Sequence, residues 1–122
     1  MTPRGRDPRD LLPLTPAVFH ILLSLVDGER HGYAIMREVE ERTGGEVRLG
    51  PGTLYGAIKR LLEQGVVEEL ELRSAEDAAD ERRRYYRLTS FGRRVVAAEA
   101  ERLERLVRLA RSKKLVPRPG SA

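Results

Sequence analysis

The 122-residue sequence contains no cysteine, which excludes disulfides, thiolate metal sites and a cysteine nucleophile. It also lacks long apolar runs. Stretches such as Ile21 to Leu23 fall far short of the roughly 18 residues of a membrane span, and Met1 to Asp10 has no apolar signal-peptide core. A cytoplasmic protein without membrane contact is therefore expected. Lysine is scarce, Lys59, Lys113 and Lys114 being three of 23 basic residues. Base composition explains that bias as well as any function does. No Gly-rich phosphate loop, nucleophile motif or His–acid pair at ligand spacing occurs. No cofactor or metal is expected. Of the two histidines, His20 falls in an apolar run and reads as a packed or hydrogen-bonded helix residue rather than a ligand.

What is present fits one globular domain, 40% hydrophobic and 34% charged, enough to bury a core. A net charge of +4 makes contact with a polyanion plausible without specifying one. Residues 1–13 and 115–122 read as tails, rich in Pro and short of periodicity. Between them, 14–89 reads as one folded unit and 90–114 as one long helix.

Thr15 as N-cap and Pro16 at the first helical position open a helix with Val18, Ile21, Leu22 and Leu25 inward, stopped near Asp27-Gly28. A second helix is expected from about Gly32 to Thr43, turning Ile35, Met36 and Val39 inward. The third has the sharpest stripe: after Pro51, Leu54, Ala57, Ile58, Leu61 and Leu62 fall at helical spacing up to the stop at Gly65. Val66 to Arg73 and Arg82 to Leu88, with the β-prone Tyr85-Tyr86 pair, read as a hairpin around a polar link.

From Thr89 or Ser90 the last helix runs to about Lys113. Its Val96, Ala100, Leu103, Val107 and Ala110 are spaced 4, 3, 4, 3, the seam of a helix that packs on another helix. The seam either closes the chain's own core or meets a second copy. A length of roughly 35 Å at 1.5 Å per residue favours the second copy.

Three helices, a two-stranded wing and a long final helix are the order of a winged helix-turn-helix, mainly α with a small β-hairpin wing. Opposite the apolar stripe of the third helix lie Gly52, Gly56, Lys59 and Glu63, flanked by Thr53, Tyr55 and Arg60. Each exposed glycine costs about 1 kcal/mol of helix stability relative to alanine. Close backbone approach to DNA gives a reason to accept that cost, and Thr53 with the free N–H groups of the first turn suits a phosphate. For Gly52 the turn before the helix is an equal explanation.

The stretch HGYAIMREVEERTGGEVRLGPGTLYGAIKRLLEQGVVEE, followed by RRRYYRLTSFG, resembles the PadR family over about Leu14 to Leu109. The resemblance implies a transcriptional repressor. It would bind a palindromic operator in double-stranded DNA as a homodimer held by the C-terminal helix, as in the short subgroup of that family. It further implies that Tyr33 and Tyr55 reach phosphates through their hydroxyls and that the arginines before Tyr85 serve the wing. Here the wing, SAEDAADERRRYY, departs from the family in being acidic and free of glycine, which moves the expected contact to Arg82, Arg83 and Arg84 at its base. Those arginines could equally be a solvated run pairing with nearby acids. A pocket for a small hydrophobic effector would be lined by Phe19, Leu23, Val96 and Leu103. The competing reading is a winged helix that serves only protein contacts, which would turn an apolar or acidic third-helix face outward; Thr53, Lys59 and Arg60 oppose it.

Overall fold

The computed structural model describes residues 6–70, 84–117 and 120. A 3₁₀ turn at Pro8–Leu11 precedes α1 (Pro16–Ser24), β1 (Arg30–His31), α2 (Gly32–Arg42), α3 (Pro51–Glu63), β2 (Val67–Leu70), β3 (Tyr85–Leu88) and α4 (Ser90–Ser112). The local signals explain where the helices begin. The Thr15 side chain accepts from Val18 N–H at 3.1 Å with Pro16 first in the helix, and Thr89 Oγ1 accepts from Gly92 N–H at 2.9 Å. At α2 the capping group is an imidazole, His31 Nδ1 accepting from Ala34 N–H at 3.1 Å.

The core lies where the apolar stripes meet: Ile21, Leu22 and Leu25 from α1, Ile35 and Val39 from α2, Leu54, Ala57, Ile58 and Leu61 from α3. Val66, Val67, Tyr86, Leu88, Val95 and Val96 close it from the sheet and α4. A hydrogen-bonded network ties α2 to α1. Arg42 of α2 donates to His20 O and to Ser24 Oγ of α1 and pairs with Glu38, while its Nη1 lies 3.2 Å from His20 Nδ1. His20 is thus a bonded helix residue, as its setting suggested.

The sheet differs from a simple hairpin. Its order is β1-β3-β2, all antiparallel, with His31 opposite Tyr85 and Val67 opposite Leu88. The third strand is two residues long, too short to show any alternation in sequence. It fixes the start of α2 to the wing. Hairpin residues 71–83 lie outside the described residues.

The N-terminal stretch expected as a tail is, from Asp7, part of the fold. Asp7 caps the 3₁₀ turn by accepting from Arg9 N–H, and Leu11, Leu12 and Leu14 pack against the core. Leu14 N–H donates to Glu99 Oε2 at 2.8 Å across 85 residues of sequence, and Arg102 holds the same carboxylate. Glu99 is buried, with 1% of its surface exposed. The hydrogen bond from Arg102 holds its carboxyl below the usual range against the opposing effect of burial, and the Leu14 N–H adds to the lowering. A carboxyl whose pKa is lowered by folding contributes stability above its unfolded pKa and loses it as the pH falls through the folded value. This tie is therefore complete at neutral pH.

Candidate nucleic-acid interface

Among the described residues, α3 is the one α-helix whose N-terminus has no side-chain cap. Gly50 occupies the cap position, and the first intrahelical bond runs from Leu54 N–H to Gly50 O at 2.9 Å. Pro51 has no N–H, so the N–H groups of Gly52 and Thr53 stay open at the positive end of a 13-residue helix. Gly50 to Thr53 are all exposed. Such an end is a ready acceptor for an anionic oxygen.

The outward face continues with Tyr55, Lys59, Arg60 and Glu63 exposed and Gly56 half-buried. No ion pair engages Lys59 or Arg60 among the described residues. Several other cations among the described residues are paired: Arg30 and Arg42 with Glu38, Arg105 with Glu101 and Arg108 with Glu104. Space around the glycines is equally distinctive. A Cβ on Gly52 would meet no atom within 4 Å, and one on Gly56 only Arg60 Nη1 at 3.9 Å. Neither position has a backbone φ that requires glycine. The chain's own packing leaves both free to carry a side chain.

Tyr33, at the start of α2, is 61% exposed; it stacks on His31 with ring centroids 6.5 Å apart, and His31 meets Tyr85 edge-on at 5.4 Å. At the wing base Arg84 pairs with Glu69 at 3.2 Å. Arg82 and Arg83 lie outside the described residues.

The seam of α4 divides in two. Val96 is buried in the chain's own core, so the surface left for a partner begins at Ala100, which is exposed, and continues through half-buried Leu103 and exposed Val107. Leu106 and Leu109, which a strict 4, 3 spacing passes over, are 49% and 53% exposed and widen the same apolar end. The four residues expected to line an effector pocket form none of the cavities described. Phe19 and Leu23 pack against the core. A cavity of about 190 Å³ lies instead beneath the N-terminal segment, between Leu14, Val18, Ala57, Arg60, Leu61 and Val95.

A helix with an open N-terminus, a second helix behind it and a small antiparallel sheet beside it define a winged helix-turn-helix of the kind that transcriptional regulators use. The chain belongs to the PadR-like family of transcriptional regulators, whose family model matches residues 21–98. Members of that family are regulators rather than enzymes. A 37.1 kDa protein in transposon TN4556 of Streptomyces fradiae is 41% identical over 86 residues, 70% of this chain and 22% of that protein. Protein X of Lysinibacillus sphaericus is 34% identical over 74 residues, 60% of this chain and 64% of that one. The chain thus spans about a fifth and just under two thirds of these two curated relatives. Among solved structures, RosR of H. salinarum is 32% identical with a TM-score of 0.62, covering 86% of this chain and 97% of that chain. A transcriptional regulator from Clostridium thermocellum is 25% identical with a TM-score of 0.65, covering 78% and 89%. A PadR family regulator from Clostridium difficile R20291, 24% identical with a TM-score of 0.67 over 79% and 95%, shares the fold.

Proposed function

We propose that this chain is a cytoplasmic, sequence-specific repressor that binds a palindromic operator as a homodimer, inserting α3 in the major groove. The observation that carries the reading is the uncapped, glycine-bearing outward face of α3, where no ion pair engages Lys59 or Arg60 among the described residues. In this reading the start of α3 takes a phosphate, Lys59 and Arg60 reach base edges or phosphates, and Tyr33 and Tyr55 contact the backbone beside them. Arg82, Arg83 and Arg84 meet the backbone from the wing base. The apolar end of α4, from Ala100 to Ala110, supports the dimer, because half-buried Leu103 and exposed Leu106 and Leu109 would gain burial there. Two copies of α3 related by a two-fold axis then address two half-sites.

Rounds of enrichment from a randomised duplex pool test the proposal. The protein is expected to select a two-fold symmetric sequence whose half-sites lie about one helical turn, roughly 10 base pairs, apart. Affinity for that duplex is expected to fall with salt, with a log–log slope near −0.9 per phosphate contact. Failure to enrich any sequence, with no salt-dependent binding to bulk duplex, would return the fold to the class of protein-contact modules.

A further inference from the structure

Gly32, the first residue of α2, is buried and follows the capping residue His31. Its φ lies outside the left-handed region, so the backbone there accepts any residue. Alanine would suit the helix better than glycine, though less so at its first position than in an interior turn. What forbids a side chain is Tyr55. A Cβ on Gly32 would overlap the Tyr55 hydroxyl and stand 2.8 Å from Cζ and 3.0 Å from Cε1 of its ring. The tyrosine of α3 therefore lies directly across the first residue of α2.

We propose that Gly32 is a positioning residue for DNA binding, its missing side chain forming the seat that holds the Tyr55 ring in its DNA-facing pose. The seat is itself anchored. His31 Nδ1 closes the first turn of α2, and His31 stands opposite Tyr85 in the β1–β3 pair, so the start of α2 is fixed to the wing. Through this contact α3, α2 and the sheet base are held in one relative placement. Tyr55 is 41% exposed, and no group among the described residues hydrogen-bonds its hydroxyl. Without the seat, an exposed tyrosine would sample several rotamers and lose that freedom on binding. With it, the hydroxyl is already placed, and the ordering cost of contact falls.

The inference rests on the reading of Tyr55 as a DNA contact, and a double-mutant cycle separates the two. Affinity for the duplex enriched by the parent protein is measured for the parent, Gly32→Ala, Tyr55→Ala and the double variant, each with its melting temperature. Tyr55→Ala is expected to weaken binding on the order of tenfold, as for loss of a contact worth about 1.4 kcal/mol. Gly32→Ala is expected to weaken it by a similar factor alone and by less than about twofold when Tyr55 is already alanine. Because the clashing atoms belong to the far end of a side chain that can swing away, Gly32→Ala should melt within about 3 °C of the parent. Equal losses in both backgrounds would overturn the seat, as would an unaffected Gly32→Ala beside a weakened Tyr55→Ala. A much lower melting temperature for Gly32→Ala in both backgrounds would show that the fold itself demands glycine, and overturns it too. Should Tyr55→Ala bind as tightly as the parent, the contact assigned to Tyr55 fails and the seat falls with it.

Discussion

Replacing Gly92 with alanine is expected to lower the melting temperature by about 10–20 °C, the largest effect of any single methyl group in this chain. A Cβ at position 92 would overlap the carbonyl oxygen of Val66, and would stand 3.0 Å from that carbonyl carbon and 3.2 Å from Leu88 Cδ2. Unlike the obstacle at Gly32, this one is backbone and cannot rotate aside. The same junction concentrates hydrogen bonds: Thr89 Oγ1 donates to Gly65 O at 2.6 Å, Thr89 N–H donates to Val66 O at 3.1 Å, and Thr89 Oγ1 accepts from Gly92 N–H. Moving α4 off Val66 would break these bonds and loosen Val95 and Val96 from the core. Overpacking alone costs about 1–3 kcal/mol, and the lost bonds about 1 kcal/mol each. The gain of about 1 kcal/mol in helix propensity from alanine is too small to offset that sum. A circular-dichroism melt checks it, and a shift under about 5 °C would mean that the contact of α4 with Val66 is looser than described.

If α4 holds the proposed dimer, Leu103→Asp is expected to leave monomers at micromolar concentration, as read by light scattering. Leu103 lies where the buried face of α4 gives way to the exposed Leu106, Val107 and Leu109. Burial of each such side chain is worth about 1.5–3 kcal/mol, and a two-fold interface contains every residue twice. A carboxylate there must be dehydrated without a partner, which costs more than the leucine contributed. Leu103 is half-buried within its own chain, so Leu106→Asp provides the same test at a position that is 49% exposed and outside the buried core. If both variants remain folded dimers, the C-terminal half of α4 is not the interface.

Much of this fold is legible in the sequence because its signals are local. Thr15-Pro16 and Thr89 begin helices where capping chemistry says they should, and the stripe from Leu54 to Leu62 separates the buried from the exposed face of α3. Residues whose roles come from distant partners were hidden. Glu99 looks like one more solvated carboxylate on a charged helix until Leu14 and Arg102 meet it. The segment around Pro8–Leu11 has the composition of a tail, yet its leucines cover α4 and the core. Gly32 and Gly92 are conspicuous only once Tyr55 and Val66 are seen against them. On α4, a rigid heptad spacing includes Val96, which the core claims, and passes over Leu106 and Leu109. The acidic wing stretch from Glu76 to Glu81 falls outside the described residues, as do Arg82 and Arg83.

Gly56→Ala tests most directly whether the outward face of α3 is a DNA-reading surface. Nothing in the chain obstructs the added methyl, the nearest atom being Arg60 Nη1 at 3.9 Å. Alanine should therefore stabilise the protein by about 0.4–1 kcal/mol, through helix propensity and a less free unfolded chain. If the helix backbone lies close against the bases, the same methyl occupies space the DNA needs. Melting temperature and affinity for the enriched duplex, measured on the same preparation, are predicted to move in opposite directions: up by about 2–5 °C, and weaker by about tenfold or more. A variant that melts higher and binds as tightly as its parent would contradict the placement of α3 in the groove.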